Sequence, residues 1–273
     1  MKYKVKTQEK WSDPFFACVR LNGEVIEVEN EWIEQSEKLT DLLDLKRKPV
    51  AITFTNEKVE VENPKRTWVC RALKLAAEGQ SFVIDVETSA CGGGSWHCGL
   101  VEPPSGEGKR ALQAFLTAGE KLTGTIVSFH RMQNLGSPPP TGISDRILIG
   151  PMEDAGMRPD IVVFLCDPEQ ACRLVSLDHF WDGIPPRIDV SGSLCHSAIS
   201  YPIVTGRTNL TLGDWTARRM QKFDKEIVFV TIPYERMQNL ILAVPRSSAG
   251  TARVELPEPI RRVFEEEGLT ESP

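Results

Sequence analysis

The sequence predicts an α/β protein made of two fused, diverged copies of one unit, with an α+β arrangement as the alternative. Apolar, β-branched runs alternate with amphipathic helical patterns along the chain, which is typical of α/β sheets. The second observation is an internal repeat, in which three short matches recur in the same order at nearly one offset. We therefore expect two similar halves packed about a pseudo-two-fold axis, as the subunits of a symmetric dimer are.

Local signals predict the individual elements. Asn30 can cap a helix that runs to residue 45, and Pro49 ends that helical pattern before a buried strand at 50–54. Two short strands flank Asn22-Gly23, and Pro168 occupies the first position of a later helix. The other predicted helices cover 68–78, 107–118, 121–134, 168–180, 234–244 and 258–267, and the other predicted strands cover 81–86, 147–149, 161–166, 187–190 and 227–232.

Three matches carry the repeat. Ile84–Cys91 corresponds to Ile188–Cys195, Arg131–Leu135 to Arg236–Leu240, and Cys70-Arg71 to Cys172-Arg173, at offsets of 104, 105 and 102. Convergent patterning of unrelated segments is the alternative, but periodicity alone does not produce an identical pentapeptide. With the proline run 138–140 as a linker, the chain divides into an N-terminal extension and helix (1–45), a first α/β repeat (46–137), a second α/β repeat (145–246) and a C-terminal tail with a helix (247–273).

Composition excludes several classes of protein. The net charge is −6, and the longest basic run is Lys46–Lys48, so nucleic acid is not an expected partner. No apolar stretch approaches the ~20 residues that span a bilayer, and the N-terminus lacks a signal-peptide pattern. We expect a cytoplasmic protein with mostly reduced cysteines. Its partner would be a small-molecule substrate or an electron-transfer protein, and a homo-oligomer remains open.

The cysteines and the glycines beside them are the candidate site. Under the expected symmetry, Cys91 and Cys195 both approach the axis, and Gly92-Gly93-Gly94 forms a tight turn where the backbone comes close to a ligand. Thiolates suit soft metals and iron–sulfur clusters, although free cysteines often act as small buried hydrophobes. Arg218 has the chemistry to bind an anionic group bidentately, with a surface salt bridge as the alternative.

Several motifs resemble the domain-of-unknown-function 169 family over roughly residues 40–245. They are Lys48-Pro49-Val50-Ala51, Cys70-Arg71-Ala72-Leu73, Cys91 with Gly93, Asp167-Pro168-Glu169-Gln170 and Cys195-His196-Ser197-Ala198. The family is common in anaerobic prokaryotes, and its pattern holds four cysteines. Three of them match Cys70, Cys91 and Cys195, while this chain has Asp214 near the place of the fourth and Cys98 where an apolar residue is expected.

Residues and resemblance together lead us to expect an iron–sulfur cluster of the 4Fe-4S type, with a redox or substrate-binding role. Its ligands would be Cys70, Cys91 and Cys195, followed by Asp214 or, failing it, Cys98. The backbone N–H groups of Gly92, Gly93 and Gly94 would approach the cluster sulfides. The alternatives are a metal-free small-molecule-binding module with buried structural cysteines, and a structural zinc site to which His97 contributes. No residue pattern identifies a catalytic group.

Overall fold

Seven strands form one mixed sheet in the computed structural model, which describes residues 4–5, 20–21, 24–25, 31–60, 65–133, 139–188 and 193–268. The strands are β1 (Lys4–Val5), β2 (Arg20–Leu21), β3 (Glu24–Val25), β4 (Val50–Thr55), β5 (Val59–Glu60), β6 (Phe82–Asp85), β7 (Arg146–Pro151), β8 (Ile161–Cys166), β9 (Arg187–Ile188), β10 (Asn209–Thr211) and β11 (Val228–Pro233). Their order in the sheet is β6-β7-β4-β8-β11-β10-β9, antiparallel except for β10 and β9. Two short antiparallel pairs, β1–β5 and β2–β3, lie outside this sheet.

Helices connect the strands. They are α1 (Glu31–Leu43), α2 (Val69–Ala77), α3 (Gly92–His97), α4 (Gly106–Ala114), α5 (Ile126–Gln133), α6 (Pro168–Asp178), α7 (Tyr201–Thr205), α8 (Trp215–Gln221), α9 (Tyr234–Ala243) and α10 (Glu258–Glu266). Two π-helices, π1 (Phe115–Gly119) and π2 (His196–Ser200), continue directly into or from their neighbours. Short 3-10 turns at Met152–Asp154 and Val244–Arg246 complete the regular structure of the described chain.

The sheet separates two hydrophobic cores. Strands β8 and β11 are buried along their whole length, because alternate side chains enter opposite cores. Ile161, Val163 and Leu165 enter the first core, which packs against α2, α8 and π2. The residues between them, such as Val162 and Phe164, enter the second core with α1, α6 and α9.

Most sequence-predicted elements are present, with boundaries shifted by a few residues. The predicted helix to residue 45 ends at Leu43, and the predicted strand 161–166 has those same bounds. Residues 92–94 are not a free turn but the start of α3, with Cys91 as its N-cap. No sequence pattern predicted π2, α7, β10 or α8. Asn22-Gly23 and part of the expected strand 187–190 lie outside the described residues.

The expected pseudo-two-fold packing is not what the described residues show. Strands β4 and β8 precede α2 and α6, which carry the matched pair Cys70 and Cys172, and these two strands are antiparallel neighbours. A two-fold axis relating such neighbours is perpendicular to the sheet, so it would leave α2 and α6 on the same face. Instead α2 packs in the first core and α6 in the second. Strand β7, from the predicted second repeat, lies between β4 and β6 of the first.

Within the described residues, no helix combines the length and apolarity needed to cross a membrane.

The start of α6 gives a test of the fold. Asp167 accepts a hydrogen bond from the Gln170 N–H (2.9 Å), and the Gln170 side chain accepts one from the Asp167 N–H (3.0 Å). Asp167→Ala should therefore lower the free energy of unfolding by about 1 kcal/mol in urea denaturation. Asp41→Ala, at an exposed position of α1, should change it by less than about 0.5 kcal/mol. Equal effects of the two substitutions would show that the cap contributes nothing.

Candidate metal centre

Four thiols converge at one end of the first core. Cys70 lies on α2, Cys98 ends α3 and Cys195 directly precedes π2, and all three are buried. Cys91, the N-cap of α3, is half-buried. Helix α3 contacts both α2 and π2. Cys70, Cys98 and Cys195 therefore belong to the same core, and Cys91 lies nearer the surface.

Electrostatic effects link these thiols to one another. Burial raises the pKa of Cys195 well above its usual range, and negative charge on Cys70, Cys98 and Cys91 raises it further. Burial, followed by the charge of Cys91 and of Asp214, raises the pKa of Cys70 to about 12. The pKa of Cys98 is also raised to about 12, mainly by burial and then by Cys91. Thiols that affect each other in this way share one low-dielectric environment.

The glycines of α3 allow the backbone to approach two of the sulfurs. The Gly94 N–H donates a hydrogen bond to Cys91 Sγ at 3.3 Å. A Cβ atom at Gly94 would lie 3.7 Å from Cys195 Sγ and 3.1 Å from a Val69 methyl group, and one at Gly93 would lie 3.8 Å from Cys91 Sγ. A side chain at Gly94 would therefore crowd the space between α3 and α2. Gly92 is exposed, with open space around its Cα.

A hydrogen-bond network fixes the turn that carries Cys91. Ser95 Oγ donates to Ser89 Oγ (2.6 Å) and lies within hydrogen-bond distance of the Cys91 carbonyl oxygen (3.1 Å). The Ala90 N–H donates to the Thr67 carbonyl at 2.8 Å. Because Thr67 lies two residues before α2, this bond links the turn at Cys91 to the helix that carries Cys70.

The π-helix π2 fixes the position of Cys195. All of its residues are buried, so polar side chains from neighbouring strands must satisfy its main chain. Asn209 Nδ2 donates to the Ser197 carbonyl (2.7 Å), and Thr231 Oγ1 donates to the Ala198 carbonyl (2.8 Å). Short π-helices are frequent at functional sites, and no local sequence signal had indicated this one.

Asp214 positions the segment before Cys195. Its Oδ2 accepts a hydrogen bond from the Leu194 N–H at 2.6 Å, and its Oδ1 accepts one from the Ala217 N–H at 2.7 Å. The carboxylate, which we expected to be the next ligand after the three cysteines, thus caps α8 and holds the residue adjacent to Cys195. Cys98, the reserve candidate, is the fourth thiol of the group.

Arg218, which we expected to bind a cofactor or an anionic group, is directed at the main chain. Its guanidinium donates to the carbonyl oxygens of four residues at 2.7–3.1 Å: Leu212, Asp224, Lys225 and Ile227. These bonds occupy both terminal nitrogens and join the start of α8 to the start of β11. The described contacts of Arg218 are therefore structural.

Aromatic rings pack beside the thiols. The Trp96 and His97 rings stack with centroids 4.5 Å apart, and the His97 and His196 centroids lie 5.5 Å apart. Burial, and then the neighbouring His196, lowers the pKa of His97 to about 3, so this imidazole is neutral at physiological pH. The buried Trp96 Nε1 and His97 Nδ1 have no hydrogen-bond partner within the described structure.

Different metal centres require different spacings of their ligands. Among the described residues, no three His, Cys, Asp or Glu side chains are close enough to hold a metal ion. The described residues therefore provide no ready ligand group for a structural zinc ion, whose ligands all bind one ion. A 4Fe-4S cluster is ligated by one thiolate on each iron, so its four thiolates stand farther apart than ligands of a single ion. After burial, the charges of Cys70, Cys98 and Cys91 are the largest effects on the pKa of Cys195, so these thiols lie in its surroundings.

Fold and site together define a mixed α/β protein with four cysteines gathered beneath one face of its sheet. The chain belongs to the domain-of-unknown-function 169 family, described as uncharacterised ArCR, COG2043, whose profile matches residues 38–242. That range contains all four thiols. The chain is also 24% identical over 228 residues to "Uncharacterized protein MJ0308" of Methanocaldococcus jannaschii, a match that covers 79% of this chain and 94% of that protein. No solved structure matches the chain.

The raised pKa of Cys70 predicts a loss of stability in alkali. The folded metal-free protein keeps the Cys70 proton until the pH approaches about 12, whereas the unfolded chain loses it near 9.0. The contribution of this thiol is thus complete below pH 9 and is lost as the pH rises towards 12, at about 1.4 kcal/mol per pH unit. Cys70→Ser should flatten the decline measured by urea denaturation above pH 9.

Cys172→Ser is the matched control, because Cys172 is exposed. This variant should keep the slope of the unaltered protein. A Cys70→Ser variant whose stability declines as steeply as that control would show that Cys70 is not protonated in the folded state at these pH values.

Proposed function

We propose that this protein binds an iron–sulfur cluster of the 4Fe-4S type through Cys70, Cys91, Cys98 and Cys195. The observation that supports this most directly is the position of Gly94, whose N–H lies 3.3 Å from Cys91 Sγ and whose Cβ position lies 3.7 Å from Cys195 Sγ. After burial, the charges of Cys70, Cys98 and Cys91 also raise the pKa of Cys195. Four cysteines are the usual ligand set of such a cluster. Here they include Cys98, which replaces Asp214 as the fourth expected ligand.

The residues around the thiols suit a buried cluster. The Gly94 N–H already points at a thiol sulfur, and N–H groups directed at sulfurs tune the reduction potential of a cluster. The apolar side chains of the first core, including Val69 and Leu194, exclude water from the buried thiols. When bound, the cluster would supply one-electron chemistry or an iron that polarises a substrate. The chain would hold the cluster, shield most of it from water and leave it accessible only near Cys91.

A metal-free binding module is the alternative that one observation favours. Cys70, Cys98 and Cys195 all belong to the first hydrophobic core, where a protonated thiol packs as a small apolar group. Under this alternative the chain carries no metal, and the orphaned Trp96 Nε1 and His97 Nδ1 would face water or a small polar molecule.

Anaerobic purification distinguishes the proposed cluster-binding protein from a metal-free binding module. If the proposal holds, the protein should be brown, with a broad absorption band near ~400 nm, and should contain about four iron and four sulfide per chain. Replacing Cys91, Cys98 or Cys195 by Ser should remove most of the iron while leaving a folded protein. Cys172→Ser, at an exposed site, should keep full iron content. Colourless, iron-free protein after anaerobic reconstitution with iron and sulfide would reject the cluster and favour the metal-free binding module.

Cluster binding should strengthen as the pH rises. With pKa values raised to about 12, Cys70 and Cys98 carry protons at neutral pH, and those protons must leave when the sulfurs bind iron. Iron retained against a competing chelator should therefore increase between pH ~6 and ~8, with the chelator's own pH dependence subtracted. A flat corrected profile would argue against ligation by these thiols.

A further inference from the structure

Basic residues concentrate on two segments of this acidic chain. The net charge of the whole protein is −6. Residues 65–74 nevertheless carry four basic side chains and no carboxylate, and residues 215–225 carry four basic side chains and one carboxylate. The members are Lys65, Arg66, Arg71 and Lys74 in the first segment, and Arg218, Arg219, Lys222 and Lys225 in the second.

These segments lie side by side. Lys74 Nζ, on α2, donates to the carbonyl oxygens of Gln221 (3.0 Å) and Lys222 (3.2 Å), at the end of α8. At the other end of the strip, Arg66 Nε donates to the Ser89 carbonyl at 3.1 Å, two residues before Cys91. The two segments therefore form one surface, here named the α2–α8 face, which borders the turn that carries Cys91. Arg218 does not contribute to its charge, because its guanidinium is bound to main-chain carbonyl oxygens.

Part of this charge is uncompensated. Asp224 pairs with Arg47, and Arg219 pairs with Glu120. Arg71 and Lys222 are exposed and have no carboxylate partner within the described parts of the chain. These cations are available to a partner that carries negative charge.

Large apolar side chains are exposed beside the cations. Trp215 is 66% exposed, Leu212 55% and Met220 38%, and all three lie on α8 or just before it. Trp215 directly follows Asp214, whose carboxylate affects the pKa of Cys70 and Cys195. Exposed aromatic, Met and Arg side chains are the types that protein–protein interfaces favour. The α2–α8 face thus combines anchoring side chains with positive charge at the edge of the thiol site.

We propose that the α2–α8 face docks a small acidic electron-carrier protein. This inference rests on the proposed cluster for the identity of the partner as an electron carrier, and on charge complementarity for its acidic character. Complementary charge steers weak, fast encounters of this kind, and such interfaces are small. Docking here places the partner over Cys91 and Gly92, where the site reaches the surface.

The test uses a small acidic ferredoxin in its oxidised state as the probe. Its affinity for the full chain is measured by calorimetry at about 50 mM and about 300 mM NaCl, with both metal-free and reconstituted protein. Arg71→Glu/Lys222→Glu should weaken binding about tenfold or more at low salt and remove most of its salt dependence. Trp215→Ser should weaken binding at both salt concentrations.

Matched controls lie elsewhere on the chain. Lys38→Glu/Arg253→Glu makes the same change in net charge at exposed positions outside the α2–α8 face. Trp181→Ser removes another exposed Trp, three residues after α6, the helix that packs in the second core on the other side of the sheet. Both should bind the ferredoxin as the unaltered protein does. Equal weakening by test and control variants, or no measurable binding at low salt, would overturn the docking site.

The two proposals fail separately in this design. Salt-dependent binding that responds to Arg71 and Lys222, in a chain that never takes up iron, would support the surface and reject the cluster. A reconstituted cluster without ferredoxin binding at this face would support the cluster and reject the surface.

Discussion

The pairing of β4 with β8 is the constraint on which the rest of the structure depends. Only Val50–Ile52 pair with Ile161–Val163, yet this contact joins the strands β6, β7 and β4 to β8, β11, β10 and β9. Asp160 extends the contact beyond the strand ladder. Its carboxylate accepts a hydrogen bond from the Phe54 N–H at 2.6 Å, and its carbonyl accepts one from the Tyr234 N–H at 2.9 Å. Burial raises the pKa of this carboxyl group, and the Phe54 N–H partly offsets that effect.

The continuous sheet makes the thiol site possible. Cys70 and Cys91 lie between β4 and β8 in the sequence, whereas Cys195 and its supports follow β8. The supports are themselves distant in sequence: Asn209, Thr231 and Asp214 hold the main chain around π2 from β10, β11 and the start of α8. A change that shifts β11 would therefore move Cys195 relative to Cys91. The site is a property of the whole fold and cannot be assigned to either predicted repeat.

The sequence was informative where local patterning decides the structure. Helices α1, α2 and α6 and strands β4 and β8 were predictable because their apolar periodicity and flanking Pro or Asn residues are local signals. The face on which each helix packs was not predictable. Because β8 and β11 are buried on both sides, their sequences carry no polar face that would distinguish the two cores. Helices α2 and α6 have similar sequence patterns but pack on opposite faces, and the strand sequences gave no sign of this difference.

The candidate site was also only partly predictable from the sequence. Cys70, Cys91 and Cys195 stood out through the repeat and the family resemblance, whereas the position of Cys98 depends on where α3 ends, which has no strong local signal. Asp214 had the right chemistry for a ligand, but its role depends on Leu194 and Ala217, whose N–H groups only the folded chain brings to it.

The burial and charge of the four thiols restrict what they can bind. Burial raises the pKa of Cys195, and negative charge on Cys70, Cys98 and Cys91 raises it further, because thiolates in one buried space repel one another. They must therefore share either protons or a positively charged centre, and occupancy by metal is tied both to pH and to the stability of the fold around it.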